Sequence, residues 1–275
     1  MREPVDGPGY NFSRRQNEIV ALLREAGRVT VEDLAAHFDV SPQTIRRDLS
    51  EMSEARVITR VHGGAIVASS VENLAYDARK LVAQQHKRLI GEAAARLIPD
   101  NSSLFINIGT TTEEVARALA GRSGLLVITN NLNVAAELYR NRAIDVIITG
   151  GSVRPTDGGI VGATTVDLIR QFRVDTAVIG ISAIDEDGTL LDFDIREVHV
   201  SRAIIENARR VILVTDSSKF ARSAPARLAT LAEIDILVTD HLPSPAIAAL
   251  CRAREVEVVE TGGPRESDLG GPEQG

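Results

Sequence analysis

Six short runs rich in β-branched residues, at 103–108, 125–129, 144–149, 176–181, 211–215 and 234–239, constrain this chain most, because each is followed by a polar or glycine-rich turn. Near-continuous apolar strands have no polar face to give to water, so both faces of their sheet must be covered. Strands that alternate with helical stretches meet this need as a parallel sheet with helices on either side. The region from about 81 to 261 therefore reads as an α/β domain. With 44% hydrophobic residues in 275, the chain has ample material for that core and for a second, smaller domain.

Residues 13–67 carry a different pattern. Ile19, Leu22 and Leu23 fall on one helical face, with Gly27 where a C-cap is expected. Thr30 precedes Val31-Glu32-Asp33 as an N-cap, opening a second helix to about Phe38. Ser41-Pro42 then pairs a capping hydroxyl with a proline at the first helical position, which starts a third helix after a tight turn. Two short helices so joined are a helix-turn-helix, whose later helix enters the major groove. Ile45, Leu49 and Met52 face the core, leaving Gln43, Thr44, Arg46, Arg47 and Ser50 outward. Gln suits adenine, Arg suits guanine and Thr meets a thymine methyl, while either Arg is equally able to grip phosphate. Gly63-Gly64 between two β-prone stretches reads as a hairpin wing, with Arg60 and His62 as phosphate contacts. The candidate DNA-binding residues are thus Ser41, Gln43, Thr44, Arg46, Arg47, Arg60 and His62. The plain alternative is a small helical bundle with solvated arginines.

A formal net charge of −7 is unusual for a nucleic-acid binder. Between Phe12 and Val67, eight Arg meet eight Asp or Glu, and the acidity lies mainly beyond. DNA affinity depends on a few basic groups set against phosphates rather than on the whole-chain charge. Residues 68–80 read as a mixed, polar linker, and 262–275, rich in Gly, Pro and Glu, as a disordered tail. No apolar run approaches the roughly 20 residues that cross a bilayer, and residues 1–10 lack the apolar stretch of a secretory signal. A cytoplasmic protein without a membrane partner is expected. The single cysteine, Cys251, excludes a disulfide framework and a cysteine-based zinc site, and its ordinary reading is a small buried hydrophobe. No metal or cofactor is expected.

In the α/β region, Gly109-Thr110-Thr111-Thr112 ends a strand and opens a helix. Backbone N–H groups, hydroxyls and the positive end of a helix dipole there suit an anion such as phosphate. An ordinary helix cap, with Glu113 and Glu114 answering the dipole, is the alternative. Other candidates at strand ends, where open α/β sheets bind ligands, are Asn130, Asn131, Gly150, Gly151, Gly180 and the turn from Asp216 to Lys219. Lys219 offers a point charge to phosphate. Asp192, Asp194, Arg196 and Glu197, packed into one loop, are candidates to hold the hydroxyls of a polyol.

The segments Val40-Ser-Pro-Gln-Thr-Ile-Arg-Arg-Asp48, His62-Gly-Gly64, Leu104-Phe-Ile-Asn-Ile-Gly-Thr-Thr-Thr112, Ile128-Thr-Asn-Asn131, Asp157-Gly-Gly-Ile-Val-Gly162 and Leu190-Leu-Asp-Phe-Asp-Ile-Arg-Glu-Val198 resemble DeoR-family bacterial transcriptional regulators. The resemblance covers about four fifths of the chain. It implies a winged helix-turn-helix plus a larger sensor domain similar to a sugar-phosphate isomerase. It also implies a homodimeric or homotetrameric repressor that leaves its operator DNA when a phosphorylated metabolite binds, sn-glycerol 3-phosphate for the subgroup these segments look most like. Two positions depart from that pattern: Ala183 stands where it has Gly, and Ile195 where it has an aromatic. The rival class is an isomerase-like enzyme on a sugar phosphate, with Asp185, Asp192, Glu197 and Lys219 as acid and base. Against it, the isomerase's glycine-rich lysine loop is replaced by residues 192–197. A nucleotide switch lacks its phosphate-loop motif.

Overall fold

The computed structural model describes residues 13–26, 28–54, 58–61, 64–67, 76–81, 83–220, 222–243 and 245–262. The chain divides into two compact units, Met1–Val82 and Ala83–Gly275.

The first unit contains α1 (Arg14–Ala26), β1 (Arg28–Thr30), α2 (Val31–His37), α3 (Pro42–Glu54), β2 (Ile58–Val61), β3 (Gly64–Val67) and α4 (Tyr76–Leu81). Ile19 and Leu23 of α1, Leu34 of α2, and Ile45, Leu49 and Met52 of α3 form its core. Their i, i+4, i+7 spacing makes one apolar stripe per helix, and the stripes close on each other. Each of the two reader helices starts at a hydroxyl. The Asp33 N–H donates to Thr30 Oγ1 at 3.1 Å, and the Thr44 N–H donates to Ser41 Oγ at 3.2 Å. Between them Asp39 takes a left-handed φ of 50°, a conformation that a short polar side chain tolerates.

The wing is antiparallel, with Val61 paired to Gly64. Gly64 therefore belongs to β3, and residues 62 and 63 of the expected turn lie outside the described residues. β1, which the apolar pattern did not announce, joins the far side of β3 to give the order β1-β3-β2. Gly27, residues 68–75 of the linker and residues 263–275 of the tail lie outside the described residues. The remainder of the linker is helix α4, where the Lys80 ammonium stands 4.5 Å from the Tyr76 ring centroid.

The second unit begins with α5 (Gln84–Arg96), β4 (Ser103–Ile106), α6 (Thr110–Leu119), β5 (Leu125–Thr129), α7 (Leu132–Leu138) and β6 (Ile144–Ile148). It continues through β7 (Ser152–Val153), β8 (Ile160–Val161), α8 (Ala163–Ile169), β9 (Thr176–Ile179), β10 (Ala183–Ile184), β11 (Thr189–Asp192) and α9 (Ile195–Glu206). It ends with β12 (Val211–Val214), β13 (Ala226–Thr230), β14 (Ile236–Thr239), α10 (Pro245–Ala253) and β15 (Glu257–Glu260).

Seven strands form one parallel sheet in the order β15-β14-β12-β9-β4-β5-β6, and all six strands expected from the sequence are in it. The seventh, β15, carries Glu257 and Glu260 at its ends. It is an edge strand, so its short run lacks the two-sided apolar signal of the others. Alternate residues serve opposite faces. Leu104, Ile106, Val178, Ile212 and Val238 pack under α5, α6 and α7, while Phe105, Ala177, Ile179, Leu213 and Leu237 pack on the other side with α8, α9 and α10. Smaller antiparallel pieces, β10-β11-β13 and β7-β8, attach beside it. Strand order reverses between β4 and β9, which makes the carboxyl ends of those two strands the topological switch point.

Candidate functional site

The exposed face of α3 presents Gln43, Arg46 and Arg47 to solvent, with Ser41 exposed at its start and Thr44 half-buried. Ser41 serves as the cap, and its Oγ lies 2.9 Å from Thr44 Oγ1, so these two hydroxyls are bonded to each other. The two arginines differ. Arg47 Nε lies 3.1 Å from Glu51 Oε1, whereas Arg46 makes no ion pair among the described residues. The Arg47 hydrogen bond, aided by Gln16, holds the Glu51 carboxyl below its ordinary range. From beneath, Arg15 donates to Asp48 at 2.6 Å and Gln16 to Glu51 at 2.8 Å, locking α3 onto α1. Arg60 belongs to β2, but its side chain lies outside what the structure describes, as does His62 altogether.

In the second unit, Gly109 caps α6 with φ 153°, and a Cβ there would meet Thr112 Oγ1 at 3.3 Å. At the same switch point Asn107 and Gly180 exchange bonds: the Gly180 N–H donates to Asn107 Oδ1 at 2.9 Å. The Thr112 hydroxyl is turned into the protein. It donates back to Asn107 O at 2.9 Å and Gly109 O at 2.8 Å, which fastens the turn. Thr110 and Thr111 remain, at 8% and 6% exposure, and their hydroxyls make no hydrogen bond among the described residues. The helix start also leaves its first backbone N–H groups without intrahelical partners.

Asn131 caps α7, accepting from the Asn133 N–H at 2.9 Å, and its Nδ2 donates to buried Glu113 at 3.3 Å. Asn130 Nδ2 donates to Ile160 O at 3.1 Å, leaving Oδ1 buried without a hydrogen-bond partner. Thr149 Oγ1, just past β6, is in the same position. Two buried polar atoms at adjacent strand ends are thus left without a hydrogen-bond partner. Gly150 accepts from the Thr165 hydroxyl at 2.7 Å, and Gly151, with φ 142°, has no room for a Cβ, which would stand 2.3 Å from Thr165 Oγ1. Lys219 is half-buried in a short 3₁₀ turn capped by Asp216.

The acidic residues at 192–197 do not share one loop. Asp192 closes β11 and accepts from Ser182 Oγ at 3.0 Å and Phe193 N–H at 2.6 Å. Asp194 caps α9, and Glu197 lies in its first turn. Arg154, which patterning missed, gathers three carboxylates: Asp157 at 2.6 Å, Asp194 at 3.1 Å and Glu197 at 2.8 Å. These neighbours outweigh burial and hold its pKa above the ordinary value. The Arg196 hydrogen bond, with Arg154 behind it, depresses Asp194 to about 2. A lone arginine between Gly150-Gly151 and Asp157-Gly158-Gly159 was the available signal. Asp185 sits apart, in the exposed turn of the β10–β11 hairpin. Of the carboxylates named for the rival enzyme, Asp192 and Glu197 are thus tied to protein partners, and Asp185 is exposed.

A model of the DeoR-like helix-turn-helix domain matches residues 15–71, and one of the DeoR C terminal sensor domain matches residues 82–241. The chain belongs to the DeoR family. Among curated DeoR-family relatives, it is 45% identical over 246 residues to the glycerol-3-phosphate regulon repressor of Escherichia coli, covering 90% of this chain and 98% of that one. It is 49% identical over 231 residues to the Haemophilus influenzae protein of the same name, covering 84% and 90%. Among solved structures, ribose 5-phosphate isomerase A from Methanocaldococcus jannaschii is similar over 50% of this chain and 55% of its own, at 15% identity and a TM-score of 0.39. Among the described residues of this DeoR-family chain, no helix is long and apolar enough to cross a membrane.

Proposed function

We propose that this DeoR-family protein is a cytoplasmic repressor that binds operator DNA as a homodimer or homotetramer and releases it when sn-glycerol 3-phosphate occupies the sensor domain. The observation that carries the sensor half is the Gly109–Thr111 turn at the switch point, with two nine-tenths-buried threonines whose hydroxyls have no hydrogen-bond partner among the described residues. Phosphate oxygens supply the acceptors that those hydroxyls and the helix N–H groups lack. Asn130, Asn131, Thr149, Asp192 and Lys219 contribute the surrounding polar groups, and the E. coli and H. influenzae relatives named for the glycerol-3-phosphate regulon support the choice of ligand.

In the reader, Gln43, Arg46 and Arg47 face the groove, and Arg60 and His62 of the wing are assigned to backbone phosphates. Two recognition helices held at a fixed separation match two operator half-sites, and the effector favours a separation that does not. By linkage, the effector binds the DNA-free form more tightly. An operator mobility-shift titration tests this. Glycerol 3-phosphate is expected to release the DNA and glycerol to leave it bound; indifference to both defeats the proposal.

A further inference from the structure

β4 and β9 are paired in parallel, with Ile106 opposite Val178, and at their carboxyl ends the Asn107 N–H donates to Val178 O at 3.1 Å. Were that ladder to continue, its next two bonds would run from the Gly180 N–H to Asn107 O and from the Gly109 N–H to Gly180 O. The Asn107 side chain takes both places. The Gly180 N–H donates to Asn107 Oδ1 at 2.9 Å, and Asn107 Nδ2 donates to Gly180 O at 3.4 Å. A carboxamide offers the same acceptor and donor as a peptide group, so this side chain stands in for backbone that has left the sheet. Nδ2 also donates to Ser201 Oγ of α9 at 3.2 Å, and Asn107 is 1% exposed. Two backbone groups are thereby released from the ladder. Asn107 O instead receives the Thr112 hydroxyl at 2.9 Å, and the Gly109 N–H is spared its bond to Gly180. The turn nevertheless stays close to β9, since a Cβ on Gly109 would stand 4.0 Å from Gly180 Cα.

We propose that Asn107 is a positioning residue of the effector site: its carboxamide, oriented by Ser201, substitutes for the ladder at Gly180 so that the Gly109–Thr111 turn forms before any ligand arrives. This rests on the reading of that turn as the anion cradle. Asn107 does not touch the effector; it acts through the turn, by holding Gly180 with its side chain and Thr112 with its carbonyl. A cradle ordered by the fold spares the ligand the cost of ordering it on binding. Without the amide, the Gly180 N–H and carbonyl lose their partners, and the Gly109 N–H is drawn back to Gly180 and away from phosphate.

The test is operator release by the full-length chain, titrated with sn-glycerol 3-phosphate, for wild type, N107A, S201A, T111V and the N107A/T111V double variant. N107A is expected to raise the half-release concentration about 10-fold, as loss of an ordinary hydrogen bond does, and S201A about a few-fold. Operator affinity without effector is expected to stay unchanged, and the thermal shift produced by inorganic phosphate to shrink in N107A. Because Asn107 acts through the turn that carries Thr111, the double variant is expected to be no worse than the poorer single one. Two effects that simply multiply overturn the proposal. So does an N107A protein that loses thermal stability yet releases DNA at the wild-type concentration, since that is how a merely structural asparagine behaves. Where N107A does not fold, S201A and the S201A/T111V pair are read under the same criteria. A wild type indifferent to glycerol 3-phosphate defeats the cradle itself. A responsive wild type with T111V impaired and N107A normal removes Asn107 alone.

Discussion

Arg46 and Arg154 are the same side chain in opposite circumstances. On α3, Arg46 stands in solvent without an ion pair among the described residues, and its neighbour Arg47 has only an exposed i, i+4 partner. In the sensor, Arg154 is largely enclosed and grips Asp157, Asp194 and Glu197. A guanidinium meant for an outside partner must be left uncommitted, while one that holds two loops together must be surrounded by carboxylates. The reading surface is therefore spare and the sensor crowded, although both draw on the same residue types. The β7–β8 hairpin illustrates the second case. On one side Leu132 N–H donates to Gly158 O at 3.1 Å, and on the other Arg154 ties the hairpin to the start of α9.

The contrast can be broken by substitution. Arg154→Ala has the largest expected effect. It removes the cation that three carboxylates share, so the sensor should lose about 3 to 5 kcal/mol in urea unfolding; a loss below about 1 kcal/mol would mean that the cluster is solvated decoration. Arg46→Ala comes next, weakening operator binding by about 10- to 100-fold with the effector affinity intact, as a titration against labelled operator would report. Equal loss of both affinities would contradict the division of labour. Arg47→Ala should cost less, about a few-fold, because Arg47 must give up its exposed pair with Glu51 to reach DNA, which offsets part of its contact. Were Arg47 to matter more than Arg46, the free-versus-paired distinction would not predict reading.

The smallest effect concerns pH. Asp194 has a folded-state pKa of about 2 against an ordinary 3.8, chiefly through Arg196, so the stability it contributes is fully present above about pH 4 and is lost as pH falls toward 2. Asp194→Asn, which keeps a capping side chain, should flatten the unfolding profile in that window. An unchanged slope would assign the acid sensitivity to other carboxylates.

Much of the architecture was legible in the linear pattern. The α3 stripe of Ile45, Leu49 and Met52, the Thr30 and Ser41 caps and the six parallel strands follow from periodicities of 3.6 and 2 and from local hydroxyl chemistry, which act within a few residues. β1 was not legible, because three residues become a strand only when β3 offers its edge. Nor was the inward commitment of Thr112: three consecutive threonines look alike in sequence, and helical geometry turns one hydroxyl into the turn while the other two make no such bond. The acidic stretch from 192 to 197 was read as one loop because nothing local announces that Asp192 pairs into a sheet while Asp194 caps a helix.

By itself, the sequence determined a reading helix with exposed arginines, a parallel sheet, and a glycine-threonine turn at the end of its first strand. Each depends on neighbours in the chain. Only the tertiary structure decided that this turn lies at the strand-order reversal opposite Gly180, that Arg154 occupies three acidic partners, and that the Asn107 amide meets Gly180 and Ser201. Those are contacts between residues tens of positions apart, set by how strands order within the sheet, and no local propensity encodes that order.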